Sequence, residues 1–149
     1  PTGGELSGVG AETLMLLGLV VRPDRLGKLY GADAGFKVFP DRETLLSPDV
    51  AFVRADRVPS GKAARGFLRL APDLVVEVRS PSDGWAAMLA KAATYLDAGV
   101  RLVWLIDPNR RLVTVFTPDN APMTLGEGDI LDGGGVVPGF SVPVGAVFA

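Results

Sequence analysis

The stretch Ala71–Tyr95, APDLVVEVRSPSDGWAAMLAKAATY, carries the residue types that could do chemistry. Side chains alternate along a strand, so Asp73, Glu77 and Arg79 share one face with Val75, while Leu74, Val76 and Val78 share the other. The apolar set can anchor the strand in a core. Carboxylates carried into that core are expensive unless they are paired, hydrogen-bonded or bound to a metal ion. The strand is therefore a candidate for charge-dependent chemistry, and the helix expected after it carries one lysine, Lys91.

Composition narrows that chemistry. There are no histidines and no cysteines among the 149 residues. This excludes Ser-His-Asp and Cys-His catalysis, HExxH zinc sites, disulfides and thiolate metal ligands. An enzyme built on this chain must use carboxylates, Lys, Arg, Tyr, Ser or a metal held by oxygen. The lack of cysteine fits a reducing compartment, and the expected location is the cytoplasm. No apolar run approaches the roughly 20 residues of a membrane span, so no membrane association is expected. The net charge of −2 means that binding nucleic acid would need a local basic patch. Arg54, Arg57, Lys62, Arg65 and Arg69 could form one, and they read equally as a solvated loop.

The elements that must position these groups follow from pattern. Residues 1–10 hold Gly3, Gly4, Gly8 and Gly10 and read as a loop. Ala11–Val21 is apolar almost all round and predicts a buried helix stopped before Pro23. Lys28–Phe39 predicts a bent strand or strand pair. Asp49–Arg54 predicts a strand with Val50 and Phe52 on one face and Asp49, Ala51 and Val53 on the other. Asp73–Arg79 reads as the central strand. Ser80 and Asp83 make a capping box with Pro81 at the first helical position, predicting a helix over Pro81–Ala98 with the apolar stripe Trp85, Met88, Leu89, Ala92 and Leu96, packing on the sheet through Trp85, Leu89 and Leu96. Arg101–Ile106 and Arg111–Thr117 predict a hairpin turning on Asp107-Pro108-Asn109. The order of elements predicts a single α/β (α+β) domain over residues 1–149, with a central mixed sheet flanked by helices.

A series of short motifs resembles a known family. Ser47-Pro48-Asp49-Val50, Pro72–Val78, Ser80-Pro81-Ser82, Lys91, Tyr95, Gly99-Val100, Leu105–Pro108 and Pro138-Gly139-Phe140 are similar in type and order to the Uma family of bacterial proteins. That family belongs to the restriction-endonuclease-like PD-(D/E)XK superfamily. The resemblance implies a nuclease core, a divalent-metal site holding Mg²⁺ or Mn²⁺, and nucleic acid, DNA first, as partner. The family pattern also has a strand pair with a glutamate ahead of Pro1, and a histidine soon after, where this chain has Leu6. That departure implies a site short of one acid, with weaker metal binding.

Two carboxylates must converge to share an ion. Asp73 and Glu77 lie four residues apart on one strand, about 13 Å at ~3.3 Å per residue, too far for an easy shared ligand. Neighbouring strands lie only ~4.8 Å apart. If the Asp49 strand pairs with the Glu77 strand, Asp49 and Glu77 can converge, which makes them the expected metal ligands and Asp73 a supporting residue. Pro-Asp is also an ordinary way to begin a strand, for Asp49 and Asp73 alike. Arg79 stays protonated and suits phosphate or an ion pair with Glu77, not proton transfer. By pattern Lys91 is a lysine at a helix edge; the resemblance gives it the place beside the attacking water. Tyr95 reads as an edge core residue with a hydrogen-bonded hydroxyl. The expected activity is metal-dependent phosphodiester hydrolysis of DNA. The alternatives are a non-catalytic nucleic-acid-binding or protein-interaction domain of the same fold with a degenerate site, and a β-rich binding module for a small acidic ligand using the arginine loop. A homodimer is expected from the mean hydropathy of +0.30 and from the symmetry of duplex cutting.

Overall fold

The computed structural model describes residues 3–149. Strands β1 (Gly27–Tyr30), β4 (Val50–Arg54), β5 (Leu74–Val78), β6 (Leu102–Asp107), β7 (Leu112–Thr117) and β8 (Asn120–Leu125) form one mixed sheet in the order β1-β4-β5-β6-β7-β8. All neighbours are antiparallel except β5 and β6, which run parallel and are joined through helix α2 (Trp85–Asp97). A parallel pair needs such a crossover, because its strands must begin at the same end. Two short antiparallel pairs complete the strands: β2 (Phe36–Lys37) with β3 (Leu45–Leu46), and β9 (Ile130–Asp132) with β10 (Ser141–Pro143).

Central position explains the apolar runs. β5 and β6 are buried along their whole length, as their Val- and Leu-rich sequences require of strands covered on both faces. Val50, Phe52, Leu74, Val76, Trp104 and Ile106 face helix α1 (Gly3–Val21) and the C-terminal turn Val144–Phe148. Ala51, Val53, Val75, Val103 and Leu105 face α2, Phe36 and Leu68. The faces of β4 and β5 alternate as predicted. The indole N–H of Trp104 is fully buried, and the described residues offer it no acceptor.

Several expectations are corrected. The N-terminal segment is helical from Gly3, not a loop, and its Pro1-Thr2 start lies outside the described residues. Val9, Thr13, Leu17 and Val21 recur every four residues as one buried stripe, and space is open where a Cβ would stand at Gly8 and Gly10. Packing of that stripe outweighs the entropic cost of glycine. Thr13 is buried because its hydroxyl donates to the Val9 carbonyl at 2.8 Å. Nor is the helix buried all round, since Met15 and Leu19 are 63% and 73% exposed. Lys28–Phe39 divides into β1 and β2, which pair with different strands. Gly27 is required in β1, because a Cβ there would collide with the Val53 carbonyl.

Helix α2 begins at Trp85, not Pro81, with Gly84 as N-cap. Ser80 and Asp83 bond to each other one turn earlier, the Ser80 N–H and hydroxyl both donating to Asp83 Oδ2 at 3.1 and 2.8 Å. The helix buries Met88, Ala92 and Tyr95, while Trp85 and Leu89 are exposed and Leu96 only flanks the core. Met88 and Ala92 come from the expected stripe, and the packed face is turned from its Trp85–Leu89 edge toward Tyr95. Gly99, at φ +100°, follows the Ala98 C-cap as expected.

Candidate active site

Strand pairing brings the two expected ligands together. β4 and β5 run antiparallel with Val50 opposite Val76. Continuing that register one residue sets Asp49 across from Glu77. A backbone bond fixes the approach, since the Val78 N–H donates to Asp49 Oδ2 at 2.7 Å. Both side chains lie on the α2 face of the sheet and line a cleft of about 530 Å³. Lys91, Ser47, Ser80 and Asp83 share its walls, and Gly10 and Ala11 of α1 close one side with little bulk.

Helix α2 supplies two more groups. Tyr95, fully buried, donates its hydroxyl to Glu77 Oε2 at 2.7 Å. Lys91 sits one turn earlier on the same helix face and places Nζ 3.7 Å from Glu77 Oε1. Glu77 is only 6% exposed, and burial lifts its carboxyl from 4.5 to about 7. The Tyr95 hydroxyl and Lys91 pull in the opposite direction, and the charge of Asp49 pushes the same way as burial. Asp49 is also raised by burial, against the Val78 N–H and Lys91. Burial, then the charge of Glu77, raises the Tyr95 phenol. The Ser80 bonds hold Asp83 below the usual carboxylate range.

A buried and a half-buried carboxylate, the charge of one opposing that of the other, with a lysine beside them, suit a cation. The donors are hard oxygens. Among the described residues no group of three or more His, Cys, Asp or Glu could hold a metal. Two carboxylates still fit Mg²⁺, which keeps several waters and is commonly held by one or two carboxylates together with substrate phosphate.

Other expected residues lie elsewhere. Asp73 is at the opposite end of β5, where it binds Arg57 Nη1 at 2.8 Å and accepts from the Arg54 N–H at 2.8 Å. Its role is to tie the β4–β5 loop to the sheet. Arg79 does not pair with Glu77. It reaches Asp107 at 3.1 Å and the Asp83 carbonyl at 3.0 Å, with its guanidinium 5.8 Å from the Trp85 ring centre. Glu77 already has Tyr95 and Lys91, whereas Asp107 at the end of neighbouring β6 has an oxygen to offer. Sequence reasoning gave no site role to Asp83 and Ser80. Their motif had marked a helix cap, and only its place among the family-like motifs could have drawn attention to it.

Comparison with known proteins bears on the family and the fold. The Uma2 family model, described as "Putative restriction endonuclease", matches residues 1–145. One similar solved structure is that of a "putative nuclease belonging to DUF820" from Anabaena variabilis. It superposes with a TM-score of 0.86 at 20% identity, over 99% of this chain and 82% of that one. At that identity the likeness is one of fold. No curated protein matches the chain. The family match spans nearly the whole sequence and takes in the strands that carry Asp49 and Glu77 and the helix that carries Lys91 and Tyr95, so the chain belongs to the Uma2 family.

Proposed function

We propose that the protein is a divalent-metal-dependent nuclease acting on DNA, with Asp49 and Glu77 as the metal ligands and Lys91 as the cation beside them. One observation carries the reading: Asp49 and Glu77 line one cleft from adjacent strands, with Lys91 Nζ 3.7 Å from Glu77. A bound Mg²⁺ or Mn²⁺ would supply charge neutralisation at the phosphate and an acidified water. The chain's own groups do the rest. The Val78 N–H orients Asp49, and Tyr95 fixes Glu77 Oε2 so that Oε1 faces Lys91. The work of Lys91 is to orient water and offset phosphate charge.

The family membership and the nuclease-like fold support this activity class. The test is nicking of plasmid DNA in Mn²⁺, alongside calorimetric Mn²⁺ binding. Lys91→Met should abolish nicking and keep the fold, and Glu77→Gln should lose both nicking and Mn²⁺ affinity. If wild type and Glu77→Gln are equally inert and neither binds Mn²⁺, the non-catalytic reading replaces this one.

The same proposal includes a cytoplasmic homodimer. No described helix is long and apolar enough to cross a membrane. Met15, Leu19 and Leu29 line an apolar groove of about 820 Å³ between α1 and edge strand β1, with Glu12 and Arg22 ten residues apart along it. A second copy related by a twofold axis would lay its Arg22 against Glu12 and its Leu19 into the groove.

A further inference from the structure

The 55–70 loop joins the C-terminal end of β4 to the start of β5, away from the end of the sheet that holds Asp49 and Glu77. Two of its five flanking cations are already engaged: Arg57 with Asp73, and Arg54 with Asp56 at 3.8 Å. Lys62, Arg65 and Arg69 are exposed, and among the described residues none has a carboxylate within ion-pair distance. Glu43 feels the charge of Arg69 but is itself paired with Lys37 at 3.0 Å. On a chain of net charge −2, three unpaired cations within eight positions are a concentrated positive patch.

The loop has a fixed shape. Leu68 is buried, and its backbone is bonded on both sides to the β2 segment: its N–H to the Gly35 carbonyl at 2.8 Å, and its carbonyl from the Lys37 N–H at 2.7 Å. Leu68 therefore behaves as an inward strand residue, which sends Phe67 and Arg69 outward on one side. Gly66, at φ +65°, makes the turn just before them, a conformation that disfavours any other residue. Phe67 is 44% exposed, with the Arg69 guanidinium 5.0 Å from its ring centre. A hollow of about 280 Å³ beside this pair is lined by Lys62, Arg65, Phe67 and Arg69.

We propose that the 55–70 loop is a nucleic-acid grip in which Lys62, Arg65 and Arg69 hold backbone phosphates and the Phe67–Arg69 pair stacks one unpaired base. An exposed aromatic with a guanidinium against it is a platform for a base, and unpaired cations around it suit the flanking phosphates. The inference deepens the nuclease reading and rests on it for the choice of partner. Leu68 shares the core beneath α2 with Tyr95, Met88 and Val75, so the grip lies on the same sheet face as the carboxylate cleft. Asp49 and Arg54 are five strand residues apart, roughly 16 Å, so the loop and the cleft lie at opposite ends of β4. A strand held at the loop therefore runs a few nucleotides before it reaches the cleft.

The test is fluorescence anisotropy with labelled single-stranded and duplex oligonucleotides in EDTA, so that binding is read without cleavage. The triple variant Lys62→Ala/Arg65→Ala/Arg69→Ala should bind single strands at least tenfold more weakly, and its plot of log affinity against log salt should be shallower by about 2. Phe67→Ala should cost about tenfold on single strands, less on duplex, and leave the salt slope unchanged. All four residues are exposed, so unchanged thermal melts check the fold. Wild-type affinity and slope in the triple variant, or no binding by wild type, overturn the grip. Equal single-strand affinity in Phe67→Ala overturns the stacking part. Because Glu77→Gln nicking is scored separately, loss of the grip leaves the nuclease reading standing, and an inert Glu77 site leaves the binding result intact.

Discussion

The Tyr95 hydroxyl holds Oε2 of Glu77 at 2.7 Å while Lys91 stands 3.7 Å from Oε1, so one helix controls both oxygens of one carboxylate. A bond to a charged acceptor is worth more than one to a neutral acceptor. Tyr95→Phe should therefore destabilise the metal-free protein by about 2 kcal/mol at pH 8 and by about 1 kcal/mol at pH 5, where Glu77 is neutral. Urea unfolding at the two pH values measures this. An equal loss at both would mean that the hydroxyl does not serve the ionised carboxylate.

Glu77 itself makes stability depend on pH. Its folded value of about 7 lies above 4.5, so its contribution is fully present below about pH 4.5 and is lost as pH rises through about 7. A displacement of that size is worth on the order of 3 kcal/mol. Glu77→Gln should remove this dependence. Relative to wild type in EDTA, the variant should gain stability steadily from pH 4.5 to 8. Parallel pH profiles for the two proteins would contradict the burial-driven shift.

Arg79 ties the end of β5 to the end of β6. Asp107 meets its guanidinium at 3.1 Å and also accepts from the N–H groups of Asn109 and Arg110 at 3.1 and 3.3 Å. Arg79→Met should cost about 1–2 kcal/mol of unfolding free energy, because Asp107 is left largely buried without its cation. Mn²⁺ affinity should stay within about twofold, a change under ~0.5 kcal/mol. A variant that folds as well as wild type but binds Mn²⁺ or DNA poorly would return Arg79 to the site.

The apolar groove predicts the behaviour of α1 in solution. Leu19→Glu puts a charge at the centre of the proposed twofold contact and should give a monomer by sedimentation at tens of micromolar, as an order-of-magnitude concentration. Glu12→Arg should also weaken the dimer, and adding Arg22→Glu should restore it. A wild type that sediments only as monomer removes the dimer.

The strands were legible because burial on both faces leaves a dense signal: LVVEV and LVWLI are hard to place anywhere but in the middle of a sheet. The convergence of Asp49 and Glu77 needed one assumption more, that their two strands pair; strand spacing then decided which carboxylates could meet. Helix faces were harder to read. Met15 and Leu19 are as apolar as Leu17, so the sequence of α1 does not distinguish the residue that meets the sheet from the one that lines the outer groove. In α2, Met88 and Ala92 of the expected stripe do pack, but its Trp85 and Leu89 stay exposed and the buried face runs on through Tyr95, whose hydroxyl reaches Glu77. The partner of Arg79 was invisible because Asp107 lies 28 residues away, at the end of a neighbouring strand. No local period records such a contact.

The parallel pairing of β5 with β6 through α2 has one more consequence. Glu77, Lys91 and Tyr95 fall within a continuous run of chain, and only Asp49 arrives from outside it. An ion that requires both carboxylates therefore binds only molecules in which β4 has zipped onto β5. It acts as a clasp between a locally folding segment and a strand recruited from far upstream. At 100 times its dissociation constant, such a ligand adds about 2.7 kcal/mol to the folded state. That gain reports on a single event, the docking of β4 onto β5, so metal uptake during refolding would time that pairing.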